Sequence, residues 1–307
     1  MSTVEQSASK ESLTWIFGSS RSGSTWLSRM LAELHGVAVI DDPHIGHHLG
    51  VWRPIPLAWA TASEPPALRT LDEIKAPHDS YFFSERYRST WEPGLRKLIL
   101  DRFRAEAAER TDCDQDRHIV VKEPGSQAAS MLLEIFPSSN LIFLIRDGRD
   151  VSDSWLDAYS EGSWAIEEGA YPVSEEGRLP LIEWLATVWV TRMEVVGECF
   201  DRMGKDQRVM IRYEQMREDP RASLRAICEL ASIAADETEL SRSIDRHCFE
   251  KTGKDRRGKG KAIRSATPGA WRDGLSEDEQ EAAMRIMGPT LTELGYETKA
   301  VREPLRA

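Results

Sequence analysis

The sequence predicts an α/β fold, a P-loop-like three-layer sandwich in which a central, mostly parallel sheet is flanked by helices. Three observations predict it. Residues 13–34, LTWIFGSSRSGSTWLSRMLAEL, read as strand, glycine-bounded loop and helix. Residues 141–145, LIFLI, are apolar without alternation, the pattern of a strand covered on both faces as in a parallel sheet. Two further short apolar runs, Val37–Ile40 and His118–Val121, each end in charged residues, and helical patterns stand between the strands. With 307 residues, 40% of them hydrophobic, the chain has enough apolar material for one such domain over 1–307.

The first strand (Leu13, Trp15, Ile16, Phe17) breaks at Gly18. The chain turns through Ser19–Gly23 and resumes as a helix with Trp26, Leu27, Met30, Leu31 and Leu34 on one face. The loop has the length of a phosphate-binding G-x-x-x-x-G-K-[ST] loop, with Gly18, Gly23 and Thr25 in place and Ser24 where the lysine belongs. That lysine serves the β and γ phosphates of a nucleoside triphosphate, so its absence argues against triphosphate chemistry. What survives is the anion cradle, backbone N–H groups at a helix N-terminus with the positive end of the helix dipole behind them. Arg21, inside the loop, supplies a permanently charged planar cation. The expectation is a nucleotide bearing a phosphate-like group at its 5′ end, with no metal.

After the second strand come Asp41, Asp42, Pro43 and His44, which Pro43 places at a strand's carboxyl end, where ligands of open parallel sheets bind. Residues 45–91, rich in proline and aromatics, read as short helical pieces of an acceptor-side insertion. Leu95–Arg110 reads as a helix. The third strand runs into Lys122 and Glu123, and a helix over Gln127–Phe136 leads to the apolar strand at Asn140–Ile145. That strand ends in Arg146-Asp147-Gly148-Arg149-Asp150. Arg146 at its tip and Ser154, eight residues on in the second helical turn, offer a charge and a hydrogen bond suited to a second phosphate. Residues 158–180 read as another excursion on the acceptor side. A long helix (Leu181–Met203), a strand (Val209–Tyr213) and helices at Ala222–Ala231 and Glu237–Asp245 follow. The basic run 250–264, EKTGKDRRGKGKAIR, begins a nucleotide-covering loop over 250–272. The last helix, Ser276–Leu294, opens with a capping box of Ser276 and Glu279.

A net charge of −11 and a pI of about 5.3 argue against nucleic acid or an anionic membrane as partner. The four cysteines (Cys113, Cys199, Cys228, Cys248) lie far apart and fit neither a zinc site nor a disulfide framework, which favours a reducing compartment. The first residues, MSTVEQSASKES, are polar, and no run approaches the roughly 20 apolar residues that cross a bilayer. A cytoplasmic location is expected.

The loop GSSRSGSTW and the turn RDGRDVSDS, in this order, resemble the two nucleotide motifs of the sulfotransferases, which use 3′-phosphoadenosine 5′-phosphosulfate (PAPS). The run KEPGSQAASMLLEIFPSSNLIFLIRDGR is similar to that of protein-tyrosine sulfotransferases, and PGAWRDGLSEDEQ to the C-terminus of bacterial members. The resemblance implies that Ser22, Gly23, Ser24 and Thr25 hold the 5′-phosphate, with Arg21 near the sulfate. It gives Arg146 and Ser154 the 3′-phosphate, and Lys122 the charge growing on the leaving phosphate. Trp26 and Tyr213 are likewise placed on the nucleotide. Arg256, Arg257 and Gly258 are the nearest match to the family's adenine and 3′-phosphate segment, with Arg264 as alternative ligand. For the base, the position used by the tyrosine-modifying branch falls on Asp42, with His44 and Glu123 behind it. The implied reaction is sulfuryl transfer to a hydroxyl, or an amine, of a small-molecule acceptor. The alternatives are a nucleotide-binding protein of this fold without activity and a small-molecule kinase, which needs the loop lysine.

Overall fold

The structure is a computed structural model that describes residues 12–53, 68–109, 118–248, 251, 253, 257–261 and 267–298. In chain order its elements begin with β1 (Leu13–Gly18), α1 (Ser24–Leu31), β2 (Val37–Asp41), α2 (Ile45–Leu49), α3 (Leu71–Lys75), α4 (Arg88–Ala108), β3 (His118–Lys122), α5 (Ala129–Ile135) and β4 (Asn140–Ile145). They continue with α6 (Gly148–Ala158), α7 (Trp164–Glu167), α8 (Glu175–Arg202), β5 (Arg208–Arg212), α9 (Tyr213–Glu218), α10 (Pro220–Ala231), α11 (Glu237–His247), α12 (Trp271–Gly274) and α13 (Glu277–Glu293). The chain forms two compact units. The first comprises 1–53, 69–145 and 195–248, the second 54–68, 146–194 and 249–307.

The first unit is built on one five-stranded sheet of order β2-β3-β1-β4-β5, parallel at every pairing. Parallel strands must be covered on both faces, which explains their unbroken apolar runs. One face packs Ile16, Val39, Val120, Ile142 and Leu144 against α1 (Leu27, Met30, Leu31) and against α9, α10 and α11 through Met216, Leu224, Ile227 and Leu240. On the other, Trp15 stacks on Phe17 (5.5 Å) and meets Phe103 of α4 (5.9 Å) and Phe136 (5.7 Å), while Phe143 faces Phe200 at the end of α8. Helices, sheet and helices make the three layers expected. Register at the amino ends is pinned by a buried polar contact: Thr14 Oγ1 lies 2.7 Å from His118 Nε2 and accepts from Asn140 Nδ2 at 3.3 Å. Because all strands run the same way, β1, β2, β3 and β4 end on the same edge.

The turns beyond β2 and β3 are locked together through two glycines. A Cβ on Gly46 would sit 2.1 Å from the carbonyl oxygen of Gly125, and one on Gly125 would sit 2.3 Å from the His47 nitrogen. This close approach fixes where the segment after β2 stands relative to the segment after β3.

In the second unit, α6 is the organising helix, capped by Asp147, whose carboxylate accepts from Arg149 N at 2.9 Å. Gly148 leaves room for Trp189 and Met287, whose atoms a Cβ there would meet at 2.6 and 2.7 Å. The capping box of Ser276 and Glu279 is present at α13, and Glu279 also pairs with Arg178 of α8 at 2.8 Å.

Several boundaries depart from the sequence reading. α4 starts at Arg88 and α8 at Glu175, each running through a proline (Pro93, Pro180) that reads locally as a boundary. β5 stops at Arg212, so Tyr213 opens a helix instead of closing a strand. The insertion 45–91 does contain short helices, although 54–67 lie outside the described residues. Among the described residues no helix is long and apolar enough to cross a membrane.

Gly46→Ala should destabilise the protein by about 1–3 kcal/mol, because backbone rather than a flexible side chain occupies the space. Urea unfolding measures it, and an unchanged midpoint with unchanged slope would contradict the interlock.

Candidate active site

The carboxyl ends of β1, β2 and β3 carry the charged residues singled out by sequence. The loop after β1 reverses through Arg21 (φ 68°) and Gly23 (φ 86°), both left-handed. Gly23 is also held from behind, since a Cβ there would come within 2.5 Å of the buried Tyr213 ring. α1 begins at Ser24 with Gly23 as its N-cap and no side-chain cap; the Trp26 and Leu27 amides donate to the Gly23 carbonyl (3.0 Å each), which leaves those of Ser24 and Thr25 outside the helix's own ladder. In the loop, Ser22 is fully buried and its Oγ makes no hydrogen bond. An unpartnered buried hydroxyl beside uncapped helix amides fits a ligand oxygen, and so fits the 5′ end of a phosphorylated nucleotide.

Ser126, just past β3, fixes the mouth of this loop. Its hydroxyl donates to the Gly18 carbonyl (2.6 Å) and accepts from the Gly18 amide (2.9 Å). The backbone pairing of β1 with β3 ends at Ile16 and Lys122, so the serine side chain takes over where the strand has turned away. On the other side Gly18 remains in register with Leu144, whose carbonyl oxygen a Cβ would approach to 2.1 Å.

Lys122 is the centre of the site. It is 5% exposed; Nζ donates to Thr25 Oγ1 of the loop helix (3.0 Å) and to Asp42 Oδ2 (2.7 Å), and forms an ion pair with Asp41 Oδ1 (2.9 Å). Consecutive residues of a strand point to opposite faces. Asp41 and Asp42 nevertheless reach the same ammonium, because the strand ends at Asp41 and Asp42 turns left-handed (φ 51°). Asp41 also accepts from Ser28 Oγ of α1 at 3.3 Å. His44 is left-handed too (φ 57°) and exposed at the start of α2, its ring 5.5 Å from that of His47. Of the four non-glycine residues with positive φ among those described, three belong to this edge.

Glu123 occupies a different environment from its neighbour. It is 2% exposed and accepts the Gly125 amide at 2.6 Å. Burial pushes its carboxyl above the ordinary range, opposed by the Gly125, Gly46 and Ile45 amides and by His44. It therefore holds the interlocked turns on which Asp42 and His44 are carried.

In the second unit, Arg146 follows β4 directly and Ser154 lies buried in the second turn of α6, as the spacing implied. The other arginine of the turn, Arg149, forks onto Asp147 (2.9 and 2.7 Å) and lies 4.1 Å over the Trp271 ring. Two aspartates of α6 grip the C-terminal segment by its backbone. Asp150 accepts the amides of Gly269 (2.7 Å) and Trp271 (3.1 Å), and Asp157 that of Gly260 (2.8 Å), whose carbonyl accepts from Trp164 N at 3.0 Å. This ties down the end of the basic loop that holds Arg257 and Gly258. Arg256 and Arg264 lie outside the described residues.

Trp26 is half-buried. Its indole N–H donates to the His247 carbonyl (2.9 Å), with Tyr213 edge-on at 6.5 Å and the Arg217 guanidinium at 5.5 Å. Sequence reasoning missed Thr25 as a partner of Lys122, the contact of Asp41 with the same lysine, and the Ser126 clamp. The signals were an acidic pair and a serine beside glycine-marked turns. Among the described residues no group of three or more His, Cys, Asp or Glu side chains is placed to hold a metal ion.

The raised carboxyl of Glu123 has a measurable consequence. The folded protein holds that proton more tightly than the unfolded chain, so stability falls as pH rises from the ordinary carboxylate range through the raised value. Glu123→Gln keeps an oxygen for the Gly125 amide and cannot ionise, so it should lose that part of the fall. Urea midpoints between about pH 4 and 8 compare the two proteins, and identical slopes would contradict the assignment.

The chain matches the sulfotransferase family over residues 14–237. Among solved structures it is similar to sulfotransferase STF9 from Mycobacterium avium, with 16% identity over 94% of this chain and 78% of that one and a TM-score of 0.51. It is similar also to the sulfotransferase domain from the curacin biosynthetic pathway, with 16% identity over 92% and 97% of the two chains and a TM-score of 0.51. No curated protein matches it significantly in sequence. At such identities the solved structures establish the shared α/β fold, and the family match spans every strand of the sheet, from the amide-lined loop to β5. The chain belongs to the sulfotransferase family.

Proposed function

We propose that this enzyme moves the sulfuryl group of PAPS to a hydroxyl, or an amine, of a small-molecule acceptor, with Asp42 as base. The observation that carries the reading is Lys122 Nζ, a buried cation in contact with Thr25 of the phosphate loop and with the carboxylates beyond β2. A group placed there touches both ends of an in-line displacement. The acceptor O–H gives its proton to the Asp42 carboxylate as the acceptor oxygen bonds to sulfur. The bond between sulfur and the 5′-phosphate oxygen breaks, and that oxygen leaves with the electron pair on 3′-phosphoadenosine 5′-phosphate. Arg21 and Lys122 compensate the charge that develops on it.

The amides of Ser22, Gly23, Ser24 and Thr25 hold the 5′-phosphate in this reading, with Trp26 beside them. Tyr213 supports the loop from beneath Gly23. Arg146 and Ser154 hold the 3′-phosphate. Arg149 is committed to Asp147 and Trp271 and is not assigned to the ligand. Arg257 and Gly258, with Arg256 and Arg264, cover the nucleotide. His44 and Glu123 remain second to Asp42 as base. His44 is exposed beside it, and Glu123 is buried and engaged with backbone amides.

Two experiments test this. Melting curves with 3′,5′-adenosine bisphosphate, ADP and AMP should rank the bisphosphate first, and Arg146→Ala should remove its advantage over AMP. Equal shifts from the bisphosphate and AMP in the wild type would overturn the two-phosphate reading, and preference for ADP would point to a kinase. Lys122→Ala should reduce turnover by about two to three orders of magnitude while bisphosphate affinity falls less than about tenfold. Intact turnover would remove Lys122 from the chemistry.

A further inference from the structure

We propose that the two adjacent aspartates serve Lys122 in different ways. Asp41 is its fixed anchor, and Asp42 is a partner that the lysine exchanges for the leaving phosphate. This rests on the sulfuryl-transfer reading. An ammonium has three N–H donors and no more. In this structure three oxygens already crowd Nζ: Thr25 Oγ1 and Asp42 Oδ2 accept hydrogen bonds from it, and Asp41 Oδ1 stands 2.9 Å away as an ion-pair partner. Lys122 therefore cannot serve the leaving 5′-phosphate oxygen without releasing one of them, and the surroundings decide which.

Asp41 closes the β2–β3 ladder, in register with Lys122 itself, and its carboxylate is also reached by the Ser28 hydroxyl of the loop helix at 3.3 Å, which it shares with the Thr25 carbonyl at 3.2 Å. Thr25 sits on that same helix, so anchor and loop move as one body with the lysine. Asp42 follows the last ladder pair in a left-handed conformation, its amide donating to the Lys122 carbonyl (3.0 Å), and Lys122 is the one side-chain partner of its carboxylate among the described residues. Asp42 is thus the contact most easily surrendered. Exchange does two things at once: it delivers the cation to the leaving oxygen and frees a carboxylate to take the acceptor's proton. The base is withheld until the donor substrate's oxygen has arrived. Asp41 is a positioning residue in this scheme, because it touches neither reacting group and acts through Lys122.

The test is a set of dissociation constants for 3′,5′-adenosine bisphosphate, measured by calorimetry on the full chain. The proteins are the wild type, Asp41→Asn, Asp42→Asn, Lys122→Met and the two double variants. Either asparagine alone removes a negative charge near the ligand, and the Lys122→Met background measures that general effect. Exchange predicts that Asp42→Asn tightens binding by roughly threefold more with Lys122 present than without it, since a competitor for the lysine has gone. Anchoring predicts the opposite sign for Asp41→Asn, whose benefit should be smaller, or a loss, when Lys122 is present. Ser28→Ala, which keeps every charge, should weaken binding in the same direction. In steady state Asp42→Asn should lower kcat by at least about a hundredfold. Asp41→Asn should lower it about tenfold with acceptor KM unchanged, and Asp41→Glu should recover part of the loss.

Equal effects of Asp42→Asn in both backgrounds, or exchanged signs for the two aspartates, would overturn the proposal. A wild-type chain that showed the expected binding pattern and sulfated no acceptor would instead refute the activity and leave the exchange standing.

Discussion

One buried ammonium governs the site. A lysine side chain enclosed at the end of a central strand carries a large desolvation cost unless oxygens surround it. Lys122 meets that requirement with the Thr25 hydroxyl at the start of α1 and two carboxylates from the neighbouring strand's end. The sheet order explains why these partners are available. β3 stands between β2 and β1, all three run in parallel, and so the acidic turn, the lysine and the glycine loop emerge side by side. The apolar residues of the strands build the layers, while the first residues after each strand build the chemistry.

Holding that arrangement requires backbone conformations that ordinary residues avoid. Arg21, Asp42 and His44 all have positive φ, at a cost on the order of 1–2 kcal/mol each. The surrounding structure overdetermines them. Ser126 grips both backbone groups of Gly18, Gly46 and Gly125 interlock, and Glu123 ties the same turns through backbone amides. Strain at Asp42 has a direct use, because without it two consecutive aspartates would face opposite sides of the sheet and only one could reach Lys122.

Much of this was legible in the sequence, for a physical reason. Gly18, Gly23 and Thr25 at their spacing mark a strand-to-helix turn that few other sequences make, and unalternated apolar runs mark strands buried on both faces. Arg146 and Ser154 fell where the helical period puts them. The contacts that were not legible all depend on strand order, which the local sequence does not carry. Thr25 and Lys122 are 97 residues apart, and Gly18 and Ser126 are 108 apart. Charge alone did not show that Arg149 would pair with Asp147, nor that Glu123 would turn to the Gly125 amide while the equally buried Lys122 beside it turns to Thr25 and the two aspartates. Prolines misled the reading of α4 and α8, where tertiary packing overrides a local preference to stop.

The central claim is that Lys122 is the cation that meets the leaving phosphate. A crystal structure with 3′,5′-adenosine bisphosphate bound tests it most directly. The account predicts Nζ within hydrogen-bond distance of a 5′-phosphate oxygen, still in contact with Asp41 and parted from Asp42. A bound bisphosphate with Nζ still on both carboxylates, away from the phosphate, would contradict it.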